Sequence, residues 1–241
     1  MKTIQFTLML AVLPLLFSSC IVDLNTIAGN GNIVTQTRNV RDFSAIELQS
    51  AANVEIIRGS VYAVSVSDYE NIVGYLKTEV SGNRLIIQKD PFSPNVWNSK
   101  AKVIITMPDS LYSVLLAGSG NISIDQAFTK LESLKLYGSG LISITDNCRL
   151  NNLDAQITGS GNIRAKGTVN YLTTIITGSG DIQFSELKAS DAKCSISGSG
   201  NVYVYVDNTL NAYLTGSGNI VYYGNPTVNS YSSSSGNVYK R

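Results

Sequence analysis

The sequence repeats one short tract, Gly-Ser-Gly, which is usually followed by Asn or Asp and then by a β-branched residue. Copies begin at Gly118, Gly138, Gly159, Gly178, Gly198 and Gly216, and a degenerate copy begins at Ser234. Successive copies start 20, 21, 19, 20, 18 and 18 residues apart. A period near 20 is typical of small units that cannot bury their apolar faces alone and therefore stack. The repeat predicts a solenoid.

Apolar residues alternate with other residues on both sides of each tract. Val114 and Leu116 precede Gly118 by four and two residues, and Ile122 and Ile124 follow it by four and six. A period of two indicates β-strands, and no segment maintains the helical period of 3.6. Glycine suits the corner between two strands because it accepts a positive φ and lets the next coil approach closely. We predict an all-β fold, a right-handed parallel β-helix with coils of about 20 residues.

A leucine-rich repeat is the main structural alternative. Leu131, Leu134 and Leu136 have the spacing with which that motif opens. The residue three positions after Leu136 is Ser139, however, where the motif has Asn or Cys, and no repeat carries a helical pattern. These departures favour the β-helix.

The first 20 residues have the features of an export signal. Lys2 precedes an apolar run, Leu8–Phe17, that is too short to span a membrane in the mature protein. The run ends in Leu-Phe-Ser-Ser-Cys, which resembles a bacterial lipoprotein signal with Cys20 as the lipidated residue. Phe17 stands where Leu is usual, and an ordinary secretory signal is the alternative. A lipid anchor implies a membrane partner. Ile21 and not Asp stands directly after Cys20, which favours, by this resemblance, an exported protein of the outer membrane.

The rest of the chain is predicted to form a tether, residues 21–32, and one domain, residues 33–241. Within the domain, residues 33–109 carry degenerate repeats and residues 110–241 carry regular ones. Ala51 and Ala52 replace the Ser and Gly of a corner in the degenerate half. We expect the two halves to form one continuous solenoid.

Three local signals interrupt the degenerate half. Asn71–Thr78 is predicted to contain a short helical turn. Ser81–Asn83 has the composition of a hairpin turn between two strands. Pro91–Trp97 contains two prolines and is predicted to protrude as a loop.

Charge and cysteine content exclude some partners and bonds. The formal net charge is +1 and 15% of residues are charged, which argues against a nucleic-acid partner because such partners need a basic face. Cys148 and Cys194 lie at different positions relative to their corners, so we expect no disulfide between them. Cys194 occupies an inward position and is interpreted as a small buried hydrophobe.

Three features together resemble a known family. They are the segment Gly31–Leu48, the segment Tyr69–Ile72 with Leu76–Val80, and the repeated Gly-Ser-Gly-Asn-Ile. In combination they resemble the DUF2807 family, also called the autotransporter adhesin head GIN domain. The resemblance covers nearly all of the chain after the signal. It implies a secreted or lipid-anchored β-helical protein of Bacteroidetes type with an adhesive role, and it supplies no catalytic residues.

One corner position is predominantly Asn. Three residues after the tract starts lie Asn121, Leu141, Asn162, Asp181, Asn201, Asn219 and Asn237. A calcium site is one interpretation, but Ca²⁺ requires several charged oxygens and this position supplies one carboxylate. The favoured interpretation is a ladder of Asn side chains that satisfy backbone groups at the corners. We therefore expect neither a metal nor a cofactor.

Catalytic residues are sparse. The chain has no histidine, which removes the commonest general base and metal ligand. Asp146 and Glu186 share a register, eight residues after Gly138 and Gly178, with Gly167 expected between them. Two coils, roughly 10 Å, would separate them, near the upper limit for an inverting glycosidase pair. We interpret them as two surface carboxylates.

Aromatic residues cluster near the end of the chain. Seven of the 13 tyrosines lie after Val202. Tyr203 and Tyr205 alternate with inward valines and are expected to face outward, and Tyr223 joins the same face one coil later. Exposed Tyr combines a rigid apolar ring with a polar tip and suits contacts with a glycan or protein ligand. Ordinary solvated strand surface is the alternative, since β-rich sequences use Tyr freely.

Two function classes follow from these observations. The first is a non-catalytic protein of the cell envelope that presents a rigid β-helix for adhesion or for binding. The second is an envelope carbohydrate-active enzyme, since a fold by itself does not decide function. A groove with convergent charged groups would favour the enzyme, and a smooth ridged face would favour binding.

Overall fold

A stack of β-strands forms the protein, whose computed structural model describes residues 25–126, 128–233 and 235–241. The signal sequence with Cys20, residues 21–24 of the predicted tether, and Ser234 of the last repeat lie outside the described residues. Within the described part of the chain, no helix is long and apolar enough to cross a membrane.

The strands are short in the first half and long in the second. They are β1 Thr26–Ala28, β2 Ile33–Arg38, β3 Ala45–Leu48, β4 Asn53–Arg58, β5 Ala63–Tyr69, β6 Leu76–Ser81, β7 Arg84–Lys89, β8 Asn95–Trp97, β9 Lys102–Met107, β10 Ser113–Leu116, β11 Asn121–Asp125, β12 Ser133–Leu136, β13 Leu141–Ile144, β14 Cys148–Ile157, β15 Asn162–Ile176, β16 Ile182–Ile196, β17 Val202–Leu214, β18 Ile220–Tyr223, β19 Thr227–Ser232 and β20 Val238–Lys240. A three-residue 3-10 turn, Val73–Tyr75, precedes β6.

Parallel pairing stacks these strands into two long faces that meet at the corners. The pre-corner face runs in the order β7, β3, β10, β12, β14, β15, β16, β17, β19. The post-corner face runs in the order β9, β4, β11, β13, β15, β16, β17, β18, β20. The predicted all-β solenoid is confirmed.

The interior is formed by the inward half of each alternation. Leu116, Leu136 and Ile157 lie in register on successive coils of the pre-corner face, and each is fully buried. The post-corner face has the same arrangement, with Ile122 beside Ile142. Because equivalent apolar side chains stack on one another, every coil buries its interior against its neighbours and none needs a core of its own.

The corner glycines are required by close approach alone. A Cβ on Gly138 would lie 1.7 Å from the carbonyl oxygen of Gly118, and a Cβ on Gly140 would lie 1.7 Å from that of Gly120. The expectation of a positive φ at these corners is wrong, because the glycines with positive φ among the described residues lie elsewhere, at Gly31, Gly82, Gly167 and Gly224. The corner backbone instead hydrogen-bonds directly to the coil before it, as from Ser199 N–H to Gly178 O at 3.0 Å.

The first half of the chain is not a simple continuation of the solenoid. β3, β4, β7 and β9 belong to the parallel stack, but β2 and β5 pair antiparallel, as do β5 and β9, and β6 and β7. These antiparallel strands cover the edges that β7 and β9 would otherwise leave open at the first coil. The physical reason is that a solenoid end exposes unpaired backbone groups and apolar interior unless it is capped.

The Ala51–Ala52 corner has room for its side chains because it does not stack on an earlier corner. At the equivalent place the preceding coil carries the insert between β7 and β9. A pocket of about 130 Å³ lies there, lined by Ser50, Ala51, Ala52, Asp68, Ile72, Tyr75, Leu76, Lys89, Val96, Ser99 and Ala101. Glycine is therefore needed at corners only from Gly118 onward, where one corner packs on another.

Two of the three local signals are confirmed and the third is modified. Gly82 and Asn83 form a two-residue hairpin loop between β6 and β7, and the 3-10 turn lies within Asn71–Thr78. The predicted loop Pro91–Trp97 contains β8, which pairs in parallel with β1. Residues 26–28 of the predicted tether are thus part of a two-stranded sheet.

Candidate functional site

Tyrosines form a row on the post-corner face of the last coils. Tyr205 lies in register with Tyr223, and Tyr203 lies in register with Val221, which in turn lies beside Tyr239. Tyr203 and Tyr205 alternate with buried valines, and the predicted outward direction of Tyr203, Tyr205 and Tyr223 agrees with the structure. We call these three residues the post-corner tyrosines.

The post-corner tyrosines are half-buried and are not a freely exposed strip. The Lys188 ammonium lies 5.1 Å from the centre of the Tyr205 ring, which is cation–π distance. Burial raises the pKa of the Tyr203 phenol above its ordinary value, and the negative charge of Asp181 raises it further. The sequence could not show this burial, because the neighbours of Tyr203 come from adjacent coils.

A second tyrosine pair lies on the pre-corner face. Tyr213 is in register with Tyr231 on the next coil, and they are 45% and 60% exposed. The Lys193 ammonium lies 5.5 Å from the centre of the Tyr213 ring. This pair, the pre-corner tyrosines, was not among the predicted site residues. The signal was present in the alternation before the corner at Gly216, since Tyr213 stands between Ala212 and Leu214, which are both buried.

The ladder of Asn side chains is confirmed at the corners. Asn201 donates from its backbone N–H to Asp181 Oδ1 at 2.8 Å, and Asn219 donates in the same way to Asn201 Oδ1 at 3.1 Å. The side-chain amides continue the ladder, as from Asn219 Nδ2 to Asn201 Oδ1 at 3.1 Å. Each of these side-chain oxygens is used by the next coil, which accounts for the position without a metal ion. Among the described residues, no group of three or more His, Cys, Asp or Glu is placed to hold a metal.

A polar groove on the post-corner face of the first coils is lined by three charged side chains, Glu55, Lys102 and Asp125. Lys102 Nζ lies 2.8 Å from Glu55 Oε2 on the neighbouring strand. Asp125 accepts hydrogen bonds from the hydroxyls of Ser123 and Thr145, and these hold the pKa of the Asp125 carboxyl below its ordinary value. A general acid needs a raised pKa. Asp125 is therefore a hydrogen-bond acceptor at this position and is unsuited to proton donation.

The carboxylates that the sequence placed in one register do not form a joint site. Asp146 Oδ2 accepts the backbone N–H of Gln126 at 2.9 Å. In the strand register, Glu186 lies beside Lys166. Gly167, which was expected between the carboxylates, lies beside Cys148 on one coil and Leu187 on the other. An irregularity between Arg164 and Lys166 shifts the register by one residue.

Both thiols of the described chain are free and buried, and the burial of Cys194 was predicted. Burial raises the pKa of Cys148 to about 11 and that of Cys194 to about 12. A thiolate is the reactive form of cysteine, so neither side chain is a nucleophile at neutral pH.

A family model now places the chain among known proteins. The model of DUF2807, described as "Putative auto-transporter adhesin, head GIN domain", matches residues 42–226. The chain belongs to the DUF2807 family. The matched range contains the pre-corner residue Tyr213 and all three post-corner tyrosines of this DUF2807 protein.

Solved structures share the fold of this DUF2807 protein. A protein of Parabacteroides distasonis, described as a "Putative lipid binding protein", is 26% identical with a TM-score of 0.76, over 90% of this chain and 99% of that one. A "putative adhesin" of Bacteroides fragilis is 23% identical with a TM-score of 0.79, over 89% and 100%. A "putative adhesin" of Parabacteroides merdae is 19% identical with a TM-score of 0.70, over 90% and 99%. No curated protein matches the chain.

Proposed function

We propose that this protein is a non-catalytic, lipid-anchored adhesin of the cell envelope whose solenoid presents an aromatic surface to a glycan or protein ligand. Membership of a family described as an adhesin head supports the general role. Similarity to proteins described as adhesins and as lipid-binding supports a binding role as well. The surface of the solenoid supports the binding part of the proposal.

The observation that carries the proposal is the pairing of tyrosines on adjacent coils of both long faces. Tyr205 with Tyr223 and Tyr213 with Tyr231 form contiguous aromatic surfaces near the same end of the solenoid. Single surface aromatics need no explanation, whereas contiguous ones mark interaction sites. Lys188 and Lys193 stand over two of the rings and add a charged hydrogen-bond donor to each surface. Rings edged by donors are suited to sugar faces and to peptide groups.

The non-catalytic part of the proposal is supported by the contacts of the charged side chains in the polar groove and by the burial of the two thiols. Glu55 is paired with Lys102, and the pKa of Asp125 is lowered by its hydrogen-bond donors. Cys148 and Cys194 are buried and have raised pKa values. These groups are engaged in structural contacts: Asp125 is unsuited to proton donation, and the two buried thiols are not free nucleophiles.

The ligand surface is tested by a glycan and matrix-protein screen followed by affinity measurements on variants. Tyr213→Ala/Tyr231→Ala should lose at least about tenfold in affinity for the ligand found, because aromatic anchors typically contribute about 1–2 kcal/mol or more each. Tyr203→Ala/Tyr205→Ala/Tyr223→Ala should lose affinity similarly. Tyr137→Ala/Tyr171→Ala is the control, since both side chains are exposed on middle coils. Equal affinity of all variants would refute the aromatic surface.

The anchor is tested separately. Cys20→Ala should abolish labelling by a fatty-acid probe and release the protein from membranes, because Cys20 would carry the acyl chains of the anchor. Stable anchoring needs two or three such chains, since a single chain binds membranes only marginally. Retention of label and membrane association would refute lipidation at this residue.

A further inference from the structure

Phe92 is the most exposed large apolar side chain of the described chain, with 94% of its surface accessible. It lies on a tight turn between β7 and β8. Asp90 Oδ1 accepts the Phe92 backbone N–H at 3.0 Å, and Asp90 O accepts the Ser93 hydroxyl at 2.7 Å. These bonds fix the turn, so the ring is held outward by local structure. Exposing a phenyl ring has a solvation cost that a binding partner would offset.

Trp97 extends this apolar edge. It ends β8, five residues after Phe92, and 61% of its surface is exposed. Its backbone is held by β1, since Gly29 N–H donates to Trp97 O at 3.0 Å. Indole combines a large apolar ring with one N–H donor, and such side chains concentrate at the boundary between hydrocarbon and lipid headgroups.

The chain enters the fold beside this turn. Asn95 N–H donates to Asn25 O at 2.8 Å, and the register of the two-stranded sheet places Thr26 beside Asn95. Cys20 precedes Thr26 by six residues. Six residues span at most about 20 Å when fully extended. A lipid on Cys20 would therefore keep the edge that carries Phe92 and Trp97 close to the bilayer.

Three lysines lie near the same edge, and one of them, Lys77, is paired with a carboxylate of the turn. Lys77 Nζ lies 3.3 Å from Asp90 Oδ2, and Lys89 Nζ donates to Asn95 Oδ1 at 3.3 Å. Lys100 is exposed. The nearby Asp68 is buried, and its carboxylate already accepts the Ser99 hydroxyl at 2.6 Å. Lysines near a surface of anionic lipids contribute to membrane attraction, and the effect falls off within a Debye length.

We propose that Phe92 and Trp97 dock the first coil of the solenoid on the lipid bilayer, with Phe92 among the acyl chains and Trp97 at headgroup level. The proposal rests on the proposed lipid anchor at Cys20. The anchor supplies the attachment, and the aromatic edge supplies a fixed orientation that acyl chains on a short connection do not supply by themselves.

Trp97 is the single Trp of the chain and so reports on its own position. The mature lipoprotein is reconstituted into vesicles of phosphatidylethanolamine and phosphatidylglycerol, with or without bromine atoms on the acyl chains. Docking predicts that bromolipid quenches Trp97 emission and that aqueous acrylamide quenches it less than in the detergent-solubilised protein. Phe92→Ser should reduce the bromolipid quenching at least about twofold, since it removes the side chain that reaches the acyl region. The control Tyr171→Ser removes an aromatic residue that is 60% exposed on the middle coils and should leave the quenching unchanged.

Three results would overturn the proposal. If the protein floats with vesicles while acrylamide quenches Trp97 fully and bromolipid does not, the anchor holds but the edge stays in water. If Trp97 is shielded from both quenchers, a second protein copy covers the edge. If mass spectrometry shows no acyl groups on Cys20, the anchor itself is refuted, and the docking proposal with it.

Discussion

Carbonyl oxygens of one corner lie where the side chains of the next corner would begin. At Gly138 the space between coils is filled by the Gly118 carbonyl, and the same relation recurs at each later tract. The selection of glycine there is steric, since the φ values do not require it. Ala51 and Ala52 show the converse, because their corner follows an insert and a pocket.

Gly138→Ala is expected to destabilise the protein strongly. Its Cβ would lie 1.7 Å from the Gly118 carbonyl oxygen, so two corners must move apart, and overpacking of this kind typically costs about 1–3 kcal/mol or more. Gly74→Ala is the matched control, because a Cβ added to Gly74 would meet no atom within 4 Å and its φ is not positive. It should leave the urea midpoint unchanged or raise it slightly, through a reduced entropy of the unfolded chain. Equal midpoints for both variants would contradict the steric explanation.

Sequence alone was sufficient wherever residues repeat. Leu116, Leu136 and Ile142 could be assigned inward because their alternation recurs at a fixed distance from each corner. The hairpin of β6 and β7 was predicted from its turn, Ser81–Asn83. The antiparallel pairing of β2 with β5 and of β5 with β9 could not be predicted, since these strands have no repeated counterpart and their pairing depends on which edge is left open. The outward direction of the post-corner tyrosines was predicted, but their exposed fraction was not. The half-burial of Tyr203 depends on Gln183 and Val221, which lie beside it on the two neighbouring coils.

At the scale of the strand, the ladder of Asn side chains couples one coil to the next. Asp181 is its single carboxylate, and its Oδ1 accepts both the backbone and the side-chain N–H groups of Asn201. Coils that share no disulfide thus remain in register through polar side chains at the corner and apolar ones inside.

Asp181→Ala should lower the free energy of unfolding by about 1–2 kcal/mol, because it leaves the partly buried Asn201 N–H groups without their acceptor. Asp181→Asn retains the oxygen and should cost less than about half as much. Chemical denaturation of the two variants measures the difference. A loss that is equal in both would show that charge, and not the ladder, is what matters at this position.

The last coil differs from the others in its inward residues. Ser232 continues the column of Ile196 and Leu214, and Lys240 continues the column of Val204 and Tyr222. Polar residues at these positions end the solenoid, because a terminal repeat must face water on its outer side.

Ser232→Leu should therefore restore an apolar end and promote end-to-end association. Light scattering after size exclusion should detect a mass that rises with protein concentration. Ser232→Ala removes the hydroxyl without adding a large apolar side chain, and it should remain at the mass of the parent protein. A monomeric Ser232→Leu variant would show that the polar column is not what prevents stacking at this end.

The whole molecule has two chemically distinct ends. Phe92 and Trp97 lie at the first coil, where the chain enters, and the pre-corner tyrosines lie on the last coils. Eight inter-strand spacings of about 4.8 Å separate β7 from β19, so the ends are about 38 Å apart. The proposed anchor and the proposed ligand surface would thus be held apart by a rigid stack.

The orientation of the solenoid on a membrane tests this arrangement most directly. A donor dye is placed at position 100, near Trp97, or at position 227, on β19, through a single introduced thiol. Cys148 and Cys194 do not compete for the dye because they are buried and their pKa values are raised to about 11 and about 12. Energy transfer to an acceptor on lipid headgroups should be strong from position 100 and weak from position 227. Equal transfer from both positions would mean that the solenoid lies flat on the bilayer, and would contradict the proposed role.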